Sequence, residues 1–108
     1  MSILLEINDS QFEENVLRSD LPALVDFNSP ECIICKTMNE RIKEVAMHFR
    51  GRVNFYSLDV NKNKSWEKFE VRSVPTVIYF SKGKAVFHHA HFPEKEEMEE
   101  HLNKLMQR

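Results

Sequence analysis

The chain has 108 residues, 42% hydrophobic and 30% charged, with 15 Lys and Arg against 17 Asp and Glu for a net charge of -2. This length suits one domain that buries roughly two-thirds of its extended-chain surface, and the composition excludes a disordered chain. No lysine- or arginine-rich block and no long apolar run is present, so neither nucleic acid nor a membrane is an expected partner.

Ile3 to Ile7 is a short β-favouring run, followed by the capping-type residues Asn8-Asp9-Ser10, with Ser10 and Glu13 at capping-box spacing. A first helix is expected to about Arg18, with Phe12 and Val16 as its buried stripe, before Ser19-Asp20 and Pro22 interrupt it. Ala23-Leu24-Val25-Asp26-Phe27 is nearly continuous in hydrophobicity, as in an interior strand covered on both faces. Asp26 is the exception: either a solvent-facing carboxylate, or a desolvated acid of raised pKa that can exchange a proton.

Ile34, Met38, Ile42, Val45 and Phe49 recur at helical spacing, which predicts an amphipathic helix from Ile33 to about Arg50, closed by Gly51. Val53 to Val60 reads as a strand, and Ser65 to Glu70 as a short helix with Trp66 and Phe69 packed on one side. Pro75 forces an extended entry to the strand Thr76 to Phe80. Ser81-Lys82-Gly83-Lys84 is a hairpin turn with Ala85 to His91 as its return strand. A last helix is expected from about Pro93, with Met98, Leu102 and Leu105 on its apolar face. The order βαβαβαββα points to an α/β domain over 1–108, a mixed central sheet with helices on both faces.

The only cysteines, Cys32 and Cys35, stand three positions apart at the start of the long amphipathic helix. On one helix face the two sulfurs can meet with little backbone movement. Closing so short a loop stabilises a fold by only roughly 2 kcal/mol, which makes a poor staple. A helix N-terminus, by contrast, stabilises a thiolate at Cys32 and leaves Cys35 to resolve it. Space-filling cysteines and half of a zinc site are the competing readings. The start, Met1-Ser2-Ile3-Leu4-Leu5-Glu6, lacks the basic region of a signal sequence, so the expected location is cytoplasmic, where a lone pair is more often catalytic or metal-binding than structural.

Val25-Asp26-Phe27, Cys32-Ile33-Ile34-Cys35-Lys36, Leu58-Asp59-Val60-Asn61 and Val71-Arg72-Ser73-Val74-Pro75-Thr76 with Gly83 beyond, in that order, resemble the thioredoxin family over nearly the whole chain. The resemblance implies a thioredoxin-like fold and a thiol-disulfide oxidoreductase without a bound cofactor. It implies Cys32 as the nucleophile on a substrate disulfide, Cys35 as the resolving thiol, and Asp26 as the buried acid beside it. Pro75 aligns with the family's cis-proline, and Val74 would pair its backbone with an extended substrate segment, with Ile33 and His91 at the substrate-binding surface. Expected partners are disulfide-containing protein substrates and a dithiol or flavoprotein reductase as electron donor, the chain acting as a monomer.

Four departures touch the reactive sulfur's surroundings. Glu31 replaces the family's tryptophan before the first cysteine, Ile33-Ile34 replaces Gly-Pro, Asn28 replaces another frequent tryptophan, and His91 stands where a glycine is usual. Glu31 opposes a thiolate, while His91 near Cys32 would favour one; a solvent-facing rim position is the plainer reading of His91. Metal binding by His88, His89 and His91 has little support, because a closed zinc site needs four ligands and no second cluster is visible. The alternative to an enzyme is a redox-inactive or redox-regulated binding module on the same scaffold, since a fold does not settle function.

Overall fold

The computed structural model describes residues 3–107. Five strands form one sheet: β1 (Leu5–Glu6), β2 (Ala23–Asn28), β3 (Asn54–Asp59), β4 (Thr76–Ser81) and β5 (Lys84–His89), in the spatial order β1-β3-β2-β4-β5. β1, β3 and β2 run parallel, while β4 and β5 are antiparallel to their neighbours. The helices are α1 (Asp9–Phe12), α2 (Ile33–His48) and α3 (Lys95–Met106), with a 3-10 segment at Ser65–Phe69. This is the expected mixed α/β order, its third helical piece being one tight segment.

Strand alternation divides the core. Leu24 of β2 and Tyr79 of β4 pack with Met38, Ile42 and Val45 of α2 and Met98, Leu102 and Leu105 of α3. Val25 and Phe27 point the other way, into a second core with Phe12, Val16, Ile78 and Phe80. Since successive side chains take opposite faces, Asp26 and Asn28 share the Leu24 face, under α2. Cys35, Met38 and Ile42 form the buried stripe of α2 over that face. Arg41 tethers α2 to the entry of α3: its Nη1 donates to the Pro93 carbonyl at 2.6 Å, and its guanidinium lies 4.0 Å from the Phe92 ring centre.

Several boundaries differ from expectation. The first cap is Asn8, not Ser10: Asn8 Oδ1 accepts from Ser10 N, and Gln11 Oε1 accepts from Asn8 N, both at 3.0 Å. α1 continues as a π-helix over Glu13–Leu17, where the Arg18 amide reaches back to the Glu13 carbonyl at 2.9 Å. α3 starts at Lys95 with Glu94 as its cap, because the Pro93 carbonyl is engaged by Arg41. β5 stops at His89, which pairs with Val77. Continuing that register sets His91 opposite Pro75, which has no N–H to extend the ladder. His91 therefore lies beyond the strand, although its ring still packs against that of His89, and His88 turns to the Phe69 carbonyl at 3.0 Å.

His89 is 5% exposed, its Nδ1 3.3 Å from the Tyr79 hydroxyl and its ring 4.5 Å from His101 and 5.2 Å from His91. Burial, reinforced by His101 and His91 and partly offset by Glu97, lowers its pKa from 6.5 to about 4. The folded protein thus resists a proton that the unfolded chain accepts. The contribution of His89 is complete above pH 6.5 and is lost as pH falls to about 4. Urea unfolding across this window should show wild type losing about 1–3 kcal/mol more stability than His89→Phe, which has nothing to titrate there.

Candidate active site

α2 begins where β2 ends its run through the middle of the sheet. Cys32 is the N-cap residue, extended at φ -81° and ψ 109°, and its Sγ accepts from the Cys35 amide at 3.1 Å. Cys32 and Cys35 are joined by a disulfide with their Cα atoms 5.2 Å apart. Cys35 is buried and Cys32 partly exposed, so the first sulfur is the one a macromolecule can approach. Once the bond is reduced, the same amide and the α2 dipole favour a thiolate on Cys32.

Asp26 is fully buried, and of the two readings left open by the sequence the desolvated one holds. Burial pushes its carboxyl up from 3.8 to about 7, against the lowering effect of one side-chain hydrogen bond from Asn28. Asn28 Nδ2 lies 3.1 Å from Asp26 Oδ2 and 2.7 Å from Ser57 Oγ. Asp26 Oδ1 has no hydrogen-bond partner among the described residues. An open groove of about 400 Å³, lined by Asn28, Cys35, Lys36 and Ser57 among others, reaches Asn28 but not Asp26. The site thus holds a dry acid, titrating near neutrality, under the helix that carries the buried sulfur.

The predicted substrate-side residues are placed as follows. The Val74–Pro75 peptide is cis, with Pro75 buried. Val74 lines a groove together with Glu31, next to Cys32 in sequence. Ile33 is 82% exposed and Ile34 49%, an apolar rim on the first turn of α2. His91 is exposed, with Nε2 3.6 Å from Glu97 Oε2 and its ring against His89.

Sequence reasoning assigned no role to Asn61, which binds Glu31, or to Ser57, and it read Asn28 only as a polar replacement. The Asn28 contact was accessible in principle, since residues i and i+2 of a strand share a face. The other two are tertiary: Ser57 arrives through the Asp26↔Ser57 register of β2 and β3.

A helix-capping Cys-X-X-Cys disulfide over a buried acid, on this sheet, defines a thiol-disulfide oxidoreductase. The sequence profile of the family described as Thioredoxin matches residues 3–104, and the chain belongs to that family. It is 39% identical to a thioredoxin of Haemophilus influenzae over 87 residues, 80% of this chain and 81% of the relative. Similarity to a thioredoxin of Synechocystis sp. is 33% over 87 residues, again 80% of this chain and 81% of the relative. A chloroplastic M-type thioredoxin of Brassica napus is 37% identical over 78 residues, covering 71% of this chain but 44% of that protein. The protein is a thioredoxin-like protein-disulfide oxidoreductase, and the binding-module alternative is not favoured.

Two measurements test the account of Asp26. An acid with a raised folded-state pKa costs stability as pH rises from 3.8, with the cost levelling off above about 7. Denaturant titrations should therefore show Asp26→Asn gaining on wild type over that interval, to a plateau of about 2–4 kcal/mol. Asn28→Leu removes the one side-chain donor that favours the carboxylate, so a carboxyl-carbon NMR titration should place the Asp26 pKa about one unit higher than in wild type.

Proposed function

We propose that this chain reduces protein disulfides through a Cys32/Cys35 dithiol, with Asp26 as its proton exchanger. The carrying observation is the capping geometry, the Cys35 amide directed at Cys32 Sγ at 3.1 Å with Cys35 itself buried. It supports Cys32 as nucleophile and Cys35 as resolver. The Cys32 thiolate attacks one sulfur of a substrate disulfide; that bond breaks, the other substrate sulfur leaves as a thiolate, and a mixed disulfide forms. Cys35 gives up its proton to the Asp26 carboxylate and attacks Cys32 Sγ; the mixed disulfide breaks, the second substrate sulfur leaves as a thiolate that takes a proton from water, and the Cys32–Cys35 disulfide closes. Two electrons pass to the substrate, and a dithiol or flavoprotein reductase returns them.

An extended substrate segment lies along the Val74–Pro75 strand entry, with Ile33 as an apolar contact and His91 at the rim. Glu31, Asn28 and His91, which depart from the family pattern, support a narrower partner set than a general reductase has. Residues 1–108 act as one thioredoxin-like domain and as a monomer, in the cytoplasm. Among the described residues no helix is long and apolar enough to cross a membrane.

Cys35→Ser is the decisive variant. It should accumulate mixed disulfides with protein substrates at Cys32, its one remaining cysteine, whereas Cys32→Ser, which keeps Cys35, should trap few or none. Equal trapping by Cys32→Ser would remove Cys32 as the nucleophile, and no adduct from a chain whose wild-type Cys32 resists alkylation after reduction would return the binding-module reading.

A further inference from the structure

Glu31 directly precedes the capping Cys32, and its exposed carboxylate does not swing freely. Asn61 Nδ2 donates to both of its oxygens, at 2.8 and 3.0 Å. These bonds hold the Glu31 carboxyl below the ordinary range, so it carries its charge throughout the pH range in which a thiol reacts. The groove beside it, about 270 Å³, is lined by Glu31 and Asn61 together with Val60, Trp66, Arg72 and Val74.

A fixed anion on the residue that precedes a reacting cysteine disfavours the thiolate, so Glu31 acting alone hinders the reaction. A cation delivered by the substrate cancels that hindrance and also gains an ion pair, two effects of the same sign. An anionic side chain in the same place suffers both. Arg72 repels a cation at its own part of the groove, which leaves the Glu31 end as the place for positive charge. Resting on the assignment of Cys32 as nucleophile, we infer that Glu31, held by Asn61, determines specificity: the groove takes an extended protein segment whose disulfide cysteine is flanked by lysine or arginine. The cationic side chain pairs with Glu31 as Cys32 attacks the cysteine sulfur, and the leaving thiolate departs from the segment.

Three peptidyl 2-pyridyl disulfides, identical except for lysine, alanine or glutamate beside the cysteine, test this with the pre-reduced full chain. Attack by Cys32 on the peptide sulfur breaks the S–S bond and releases pyridine-2-thione, followed by its absorbance; Cys35 then frees the peptide thiol. At low salt the lysine peptide should react about five- to tenfold faster than the glutamate peptide. The ratio should fall below about twofold in Glu31→Gln, and should shrink in wild type as salt is added. The thiol pKa of Cys32 should also drop in Glu31→Gln. Equal rates for the lysine and glutamate peptides, or a preference that survives Glu31→Gln, overturns the assignment. Where either of these results comes with an alanine peptide that still reacts rapidly, the specificity role alone is lost and Cys32 stands as nucleophile. If no peptide reacts, Cys32 as nucleophile falls with it.

Discussion

A carboxyl group in the middle of the sheet, bonded by a side chain at one oxygen only, is the constraint to which the rest of the site answers. Asp26 sits between the buried Val25 and Phe27, and an ionised carboxylate there is expensive unless it is paired. No cation pairs it among the described residues; the side chain that reaches it is the neutral amide of Asn28, itself anchored on Ser57. Such a partner softens the desolvation without cancelling it, which leaves the group titrating near neutrality. A lysine in that place would hold it ionised, and an apolar neighbour would keep it protonated. The environment thus suits proton exchange better than stability.

The same economy governs the cysteines. The helix that covers Asp26 supplies, in its first turn, the Cys35 amide for one sulfur, and buries the other sulfur on the stripe that includes Met38 and Ile42. One helix start therefore separates an approachable thiol from a protected one, and sets the protected one over the strand that carries the acid. The remaining departures from the family pattern lie on the outside of this arrangement. Ile33 and Ile34 make the rim apolar, Glu31 makes it locally anionic, and neither intrudes on the buried acid. Changes at the rim are physically separable from the buried acid underneath.

Elements with strong local periodicity were legible in the chain. α2 and α3 announce themselves by stripes of apolar residues, and β2 and β4 by short, nearly continuous apolar runs between breakers. Asp26 stood out because it interrupts such a run, although its burial follows only when α2 covers the Leu24 face of β2. The end of β5 was not legible, because it depends on which residue of β4 faces His91, and that residue proves to be Pro75. The first cap moved from Ser10 to Asn8 because Asn8 combines an extended backbone with a side-chain oxygen in reach of Ser10 N, a competition that spacing alone does not decide.

By itself, then, the sequence determined the order of elements, the placement of Cys32 and Cys35 at a helix start and the presence of an acid in an interior strand, since all three are properties of near neighbours along the chain. Tertiary structure decided what those groups meet. Asn61 reaches Glu31 from thirty positions away, and Ser57 reaches Asn28 across a strand pairing, contacts with no signature in local spacing. The identities of reactive groups are written residue by residue. Their pKa values, partners and selectivity come from desolvation and from polar contacts that exist only once distant segments have packed.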